Sequence, residues 1–336
     1  MRIAGIDLLR GVAVGLVVLR HALPEAFPGA GVAGVVMFFA LSGYLITGVL
    51  LAELEATGRV RFGRFYARRA RRLVPALVVL VVGVALVTLT LDPLGDRDEL
   101  PRTVLVALTW TANLPFDQGS DATFHLWTLA TEEQFYLLWP AVLALAFVRR
   151  RVGAALVVVA VACLLACAVV VWWLRADPDL AYALPTSWAV CFVVGAAARV
   201  LVARRPALVV PAGAAPLALL GIAVLGVVPL RGHALTYLAG GPAIAALTAV
   251  LLLAWRSWTE VAAPLAPLVW LGTVSYGAYL WNYPLTLWLR PSFAHAEVAG
   301  LLAAVLTLVA AGLSWRYVEK PLAARRTLRP PVGVAA

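Results

Sequence analysis

Apolar stretches separated by short polar joints fill the chain, near residues 5–23, 32–52, 74–91, 129–148, 152–174, 186–203, 214–230, 234–255, 268–290 and 297–317. Each reaches, or nearly reaches, the ~20 residues that cross about 30 Å of hydrocarbon as a helix. The pattern predicts an all-α, multi-pass membrane bundle of about ten transmembrane helices, because lipid leaves backbone groups no partners but their own. The seventh stretch carries Gly221 and Gly226, and residues 104–114 form a further short apolar piece that fits a re-entrant segment. The first stretch carries Arg10 and runs directly into further spans, so it reads as a retained helix rather than a removable leader.

Composition agrees with that pattern. Of 336 residues 63% are hydrophobic and only 13% charged, against about 25% charge in a soluble domain. The excess of base is a signal of topology. With the N-terminus inside, 20 of the 27 basic residues fall in cytoplasmic segments, as inner loops are rich in Lys and Arg. Both termini are then cytoplasmic, and the opposite side holds Asp92, Asp96, Asp98, Glu99, Asp117 and Asp121. No basic stripe interleaves with aromatics on a soluble face, so no nucleic-acid partner is expected. Cys163, Cys167 and Cys191 lie in apolar stretches and read as small hydrophobes. The longest joints, 53–72 and 92–124, are too short for separate domains.

Four sets of polar residues stand out. Arg10 and His21 are eleven residues apart in the first stretch, which returns them to one helix face roughly 16 Å apart. Histidine suits a general base toward a hydroxyl, and a guanidinium suits a phosphate or a developing oxyanion. Their plainer reading is Arg10 snorkelling to headgroups and His21 at the outer interface. The second set is His125, Glu132 and Glu133 in HLWTLATEEQFYLLWP. If helix begins near His125, that histidine shares a face with Glu132, and two adjacent carboxylates orient a histidine, hold a hydroxyl or share a proton. Acids at a helix start also favour the dipole.

The third set is RFGRFYARRARRLVPAL, whose Arg68, Arg69 and Arg72 suit the phosphates of a nucleotide-bearing donor such as coenzyme A. Topology and anionic membrane lipids explain the same run. The fourth is polar residues near span ends, of which Ser42, Tyr276 and Asn282 are the candidates for contact with substrate. There is no Walker loop, HExxH, CxxC pair or Gly-x-Ser-x-Gly elbow, so ATPase, zincin and lipase-type chemistry lose support. Neither a metal nor a permanently bound cofactor is expected.

In sequence, IDLLRGVAVGLVVLRH, GVVMFFALSGYLIT, FYARRARRLVPAL, HLWTLATEEQFYLLWP, SYGAYLWNYPL and WRYVEKPL run from residue 6 to about 322. Their order resembles the acyltransferase 3 family, membrane-bound O-acyltransferases that modify bacterial surface glycans and some secondary metabolites. The resemblance implies an acyltransferase 3-like transmembrane domain over 1–322 in the bacterial cytoplasmic membrane, whereas residues 323–336, with Pro330 and Pro331, read as a short, disordered cytoplasmic tail without the soluble hydrolase-like extension of larger members. It implies transfer of an acyl group, acetyl or another short chain, from acyl-CoA to a hydroxyl. It places Arg10 and His21 at the active site, with the acidic pair at Glu132 and Glu133 preceded by His125. Two positions depart from the commonest pattern: Asn282 stands where many members have histidine, and Val36 where many have an acid.

The expected mechanism has His21 as general base, Glu132 or Glu133 orienting it or the acceptor, and Arg10 steadying the thioester or oxyanion. An acyl-histidine route stays open. The acceptor class includes an envelope glycan, a lipid-linked saccharide and a macrolide-type sugar. Two rival classes share the buried charges: a transporter or flippase, which the lack of an inverted repeat disfavours, and a non-catalytic receptor-like scaffold.

Overall fold

The computed structural model describes residues 3–324, and no strand occurs among them. Its helices are α1 Ala4–Ala22, α2 Ala30–Thr57, α3 Phe62–Thr90, α4 Leu100–Thr109, α5 Trp127–Val148, α6 Val152–Trp173, α7 Ala189–Arg204, α8 Ala214–Val227, α9 Gly241–Trp255, α10 Ala266–Thr273, α11 Ser275–Leu289, α12 Ala296–Ser314 and α13 Lys320–Ala324. A π-helical turn, Thr236–Gly240, leads into α9, and another, Trp315–Glu319, joins α12 to α13. The rest of the expected tail, 325–336, lies outside the described residues.

Five helical stretches are long and apolar enough to cross a membrane: α2, α3, α6, Thr236–Trp255 and Ala296–Leu322. The other expected spans are helical too, and what sets them apart is physical. Asp7, Arg10 and Arg20 interrupt α1, and Glu132 and Glu133 interrupt α5. Helices α7 and α8 have 16 and 14 residues, and the expected ninth span breaks at Val274 into α10 and α11. The groups that make α1 and α5 chemically interesting are those that lower their hydropathy. The outward faces of the rim helices are hydrocarbon: Val157, Val161, Leu165 and Val169 on α6, Leu86 and Leu89 on α3, Val305 and Val309 on α12 are all exposed. A multi-pass membrane protein presents such a surface to lipid, whereas a monomer in water seldom exposes so large an apolar patch.

Helix α2 occupies the centre, packed on α1, α5, α7, α8 and α9, while α1 packs on α2, α9, α10, α11 and α12. Paired glycines allow these approaches, as small residues do between membrane helices. A Cβ on Gly11 would strike the Leu268 carbonyl of α10, and one on Gly272 the Asp7 carbonyl of α1. Gly43 and Gly195 form the same reciprocal pair between α2 and α7. Gly272→Val is therefore expected to destabilise the bundle by about 2 kcal/mol, read as a lower melting temperature in detergent, whereas Gly213→Ala, which meets no atom within 4 Å, leaves it unchanged.

The basic joint over 53–72 is largely helix. Helix α2 continues to Thr57, Gly58 takes the left-handed conformation at φ 68°, and α3 starts at Phe62. Alanine and arginine are strong helix formers, so Arg64 to Arg72 form the first turns of α3 rather than a loop. The opposite joint, over 92–124, folds back onto the bundle through α4. Its buried Asn113 donates to Thr131 at 3.1 Å and exchanges hydrogen bonds with Gln134 of α5 at 2.9 Å.

Candidate active site

Two helices that run the same way, α1 and α11, hold the central polar groups. Arg10 Nη2 donates to Ser275 Oγ at 2.8 Å, and further along His21 Nδ1 lies 2.5 Å from Asn282 Oδ1. The eleven residues from Arg10 to His21 thus face the seven from Ser275 to Asn282, and the long arginine side chain takes up the difference in rise. Ser275, Tyr279 and Asn282 recur at helical spacing and form one polar face of α11.

A cavity of about 400 Å³ opens beside Arg10 toward the arginine-rich end of the bundle, within the range of small-molecule sites. Its polar lining comes from Arg10 on α1, Ser42 on α2, Arg68, Arg69 and Arg72 on α3, Thr128, Glu132 and Tyr136 on α5, and Ser275, Tyr276 and Tyr279 on α11. The remaining wall is apolar, including Phe38, Leu45 and Ile46. Ser42 Oγ donates to Glu132 Oε1 at 2.9 Å, and the Tyr276 hydroxyl donates to the Leu73 carbonyl at 2.9 Å.

The two adjacent carboxylates have separate surroundings. Glu132 faces the cavity, whereas Glu133 is ion-paired with Arg69 at 2.9 Å. Arg69 also lies 3.3 Å over the Tyr136 ring, so its guanidinium is engaged twice by α5. Arg72 is the exposed member of the three, at the cavity rim. Arg72→Ala is expected to raise the KM for a phosphate-bearing donor about tenfold, the value of one charge-assisted hydrogen bond, with kcat little changed. Initial rates over a range of donor concentration check it.

His21, His125, Asn282 and Glu133 do not line this cavity. Neither carboxylate is the partner of His21; that position belongs to Asn282. His125 precedes the α-helical part of its element: Asp121–Leu126 is a 3₁₀ helix and α5 starts at Trp127. The tighter turn changes the phase, and His125 Nε2 donates to the Leu280 carbonyl at 3.0 Å instead of sharing the face of Glu132. Asn282, a candidate for contact with substrate, is engaged on both sides of its amide, with His21 and with Thr307 Oγ1 at 3.2 Å.

Between the cavity and His21 stands Tyr279. Its hydroxyl is 2.6 Å from Thr128 Oγ1 and donates to the His125 carbonyl at 2.8 Å. From it an aromatic row runs through His125 and Tyr283 to His21, with ring separations of 5.5, 5.3 and 5.2 Å. Tyr279 reads in the sequence as one of the interfacial aromatics near span ends, and Thr307 escapes it altogether. The signal for Tyr279 was its helical spacing from Ser275 and Asn282, and for Thr307 it was a lone hydroxyl in an apolar run.

The family model described as an acyltransferase domain, Acyl_transf_3, matches residues 3–316. The chain belongs to this acyltransferase family. It is 30% identical to the peptidoglycan O-acetyltransferase of Listeria monocytogenes over 347 residues, covering 95% of this chain and 56% of that protein. A candidate peptidoglycan O-acetyltransferase of Bacillus subtilis is 31% identical over 356 residues, covering 95% of this chain and 55% of its own length. A candidate O-acetyltransferase of Staphylococcus aureus is 37% identical over 150 residues, covering 42% of this chain and 24% of that protein. This member of the family spans about half the length of the first two. No solved structure matches it.

Proposed function

We propose that this acyltransferase family member is a membrane O-acyltransferase that moves an acetyl or other short acyl group from acyl-CoA to a hydroxyl of a carbohydrate acceptor. The observation that carries this reading is the division of one polar seam into two parts. At one end a cavity offers arginines at its rim and Arg10, Ser42 and Glu132 within. At the other, an imidazole is held by Asn282.

In this reading the arginine-rich end is cytoplasmic, in a bacterial cell membrane, and coenzyme A phosphates rest on Arg68 and Arg72. The thioester extends along the apolar wall toward Tyr279, and the acceptor reaches His21 from the opposite side. His21 Nε2 takes the hydroxyl proton as the oxygen bonds to the thioester carbonyl carbon. Arg10 steadies the thioester end of the donor, since Ser275 holds it seven residues, about 10 Å, along α11 from the Asn282 that holds His21. When the carbon–sulfur bond breaks, the thiolate takes the proton back from the imidazolium. Transfer requires Tyr279 to yield, since the two parts are separate in the structure. The relatives named for peptidoglycan make an envelope glycan the first acceptor to test.

Mass spectrometry of envelope glycans and metabolites from a deletion strain tests the proposal. An acyl mass difference is expected to return with the wild-type chain and not with an inserted His21→Ala protein. The same molecule unmodified but relocated across the membrane contradicts it and favours transport.

A further inference from the structure

The nitrogen that serves as base in the proposed mechanism is decided by groups that never touch substrate. Thr307 Oγ1, fully buried on α12, lies 2.7 Å from the Ala303 carbonyl, so its single proton is given to the backbone. Its lone pairs are then left to accept, and Asn282 Nδ2 donates to them at 3.2 Å. That contact fixes which way the Asn282 amide points. Its carbonyl oxygen, an acceptor only, is turned to His21 Nδ1 at 2.5 Å. The proton between them therefore sits on Nδ1, and in the neutral ring Nε2 is left with the lone pair. Reversing the amide would set Oδ1 against the committed Thr307 oxygen and its NH₂ group against Nδ1. The Oδ1–Oγ1 contact would be a buried mismatch costing more than the hydrogen bond it replaced, even with the ring protonated at Nε2 so that Nδ1 accepts from the NH₂ group. The main chain is held as well, because Thr286 Oγ1 donates to the Asn282 carbonyl at 2.7 Å.

We infer that Thr307 and Asn282 are positioning residues that hold His21 in the Nδ1-protonated tautomer and so assign Nε2 as the nitrogen that receives the acceptor's proton. The inference rests on the reading of His21 as base, but the tautomer itself can be measured without that reading.

The chain in nanodiscs, labelled with ¹⁵N-histidine, has four histidines, and loss of one signal set in His21→Gln assigns His21. A neutral His21 protonated at Nδ1 is expected in the wild type, with Nε2-protonated ring appearing in Thr307→Val and Asn282→Leu. In thioester-dependent transfer, Thr307→Val is expected to lower kcat about tenfold with donor KM unchanged, and Thr307→Ser, which keeps the oxygen, restores it. In an Asn282→Asp background the same Thr307→Val change is expected to matter less than about twofold, because both carboxylate oxygens accept and no amide is left to reverse. A wild-type His21 protonated at Nε2 overturns the inference, as does an equal effect of Thr307→Val in both backgrounds. Full activity of His21→Gln overturns the base reading and leaves the tautomer measurement standing.

Discussion

His21→Ala protein that inserts and folds is expected to lose acyl transfer by about 10²- to 10⁴-fold, the usual contribution of a positioned general base. The loss is expected in kcat, because the cavity proposed for the donor does not include His21. Packing is the competing explanation, and it predicts less. The His21 ring is half-buried and meets Tyr283 edge-on at 5.2 Å. Its removal leaves Asn282 Oδ1 without a donor, a penalty of about 1–3 kcal/mol to stability. A melting curve in detergent, run beside initial rates, separates the two effects. A folded His21→Ala protein with wild-type kcat contradicts the assignment.

Arg10→Gln is expected to reduce kcat by about 10²-fold, the cost of a misplaced reactant. Arg10 lines the cavity, and Ser275 fixes one guanidinium nitrogen at 2.8 Å. The site is walled largely by apolar side chains, so a charge there acts through a low effective dielectric. Arg10→Lys keeps the charge but not the planar fork, and a partial recovery is expected. Initial rates over a range of donor concentration decide the role. A rise in donor KM at constant kcat would move Arg10 from the thioester end of the donor to the phosphates.

Much of this arrangement was legible because a few rules act at short range. The spacing of Arg10 and His21 sets a helix face wherever the helix lies, and the apolar stretches mark helices whatever their packing. Helix starts were harder. The arginine run before Leu73 looked like a joint because it is charged, yet Gly58 is the residue that ends α2 and lets α3 begin. The 3₁₀ turns of Asp121–Leu126 were invisible to a periodicity argument, so His125 was placed on the wrong side of its element for a face shared with Glu132. Partners far apart in sequence could not be read at all. Asn282 and Thr307 meet only because α11 packs on α12, and the separate surroundings of Glu132 and Glu133 depend on Ser42 and Arg69 from other helices.

The most direct test of acyl transfer is release of free coenzyme A thiol from acetyl-CoA by the purified protein, followed together with acetyl on an added muropeptide or oligosaccharide. One thiol released for each acetyl gained, with both lost in His21→Ala and Arg10→Gln, is the predicted result. An intact thioester, while wild-type protein in liposomes carries the unmodified saccharide across the bilayer, would contradict it.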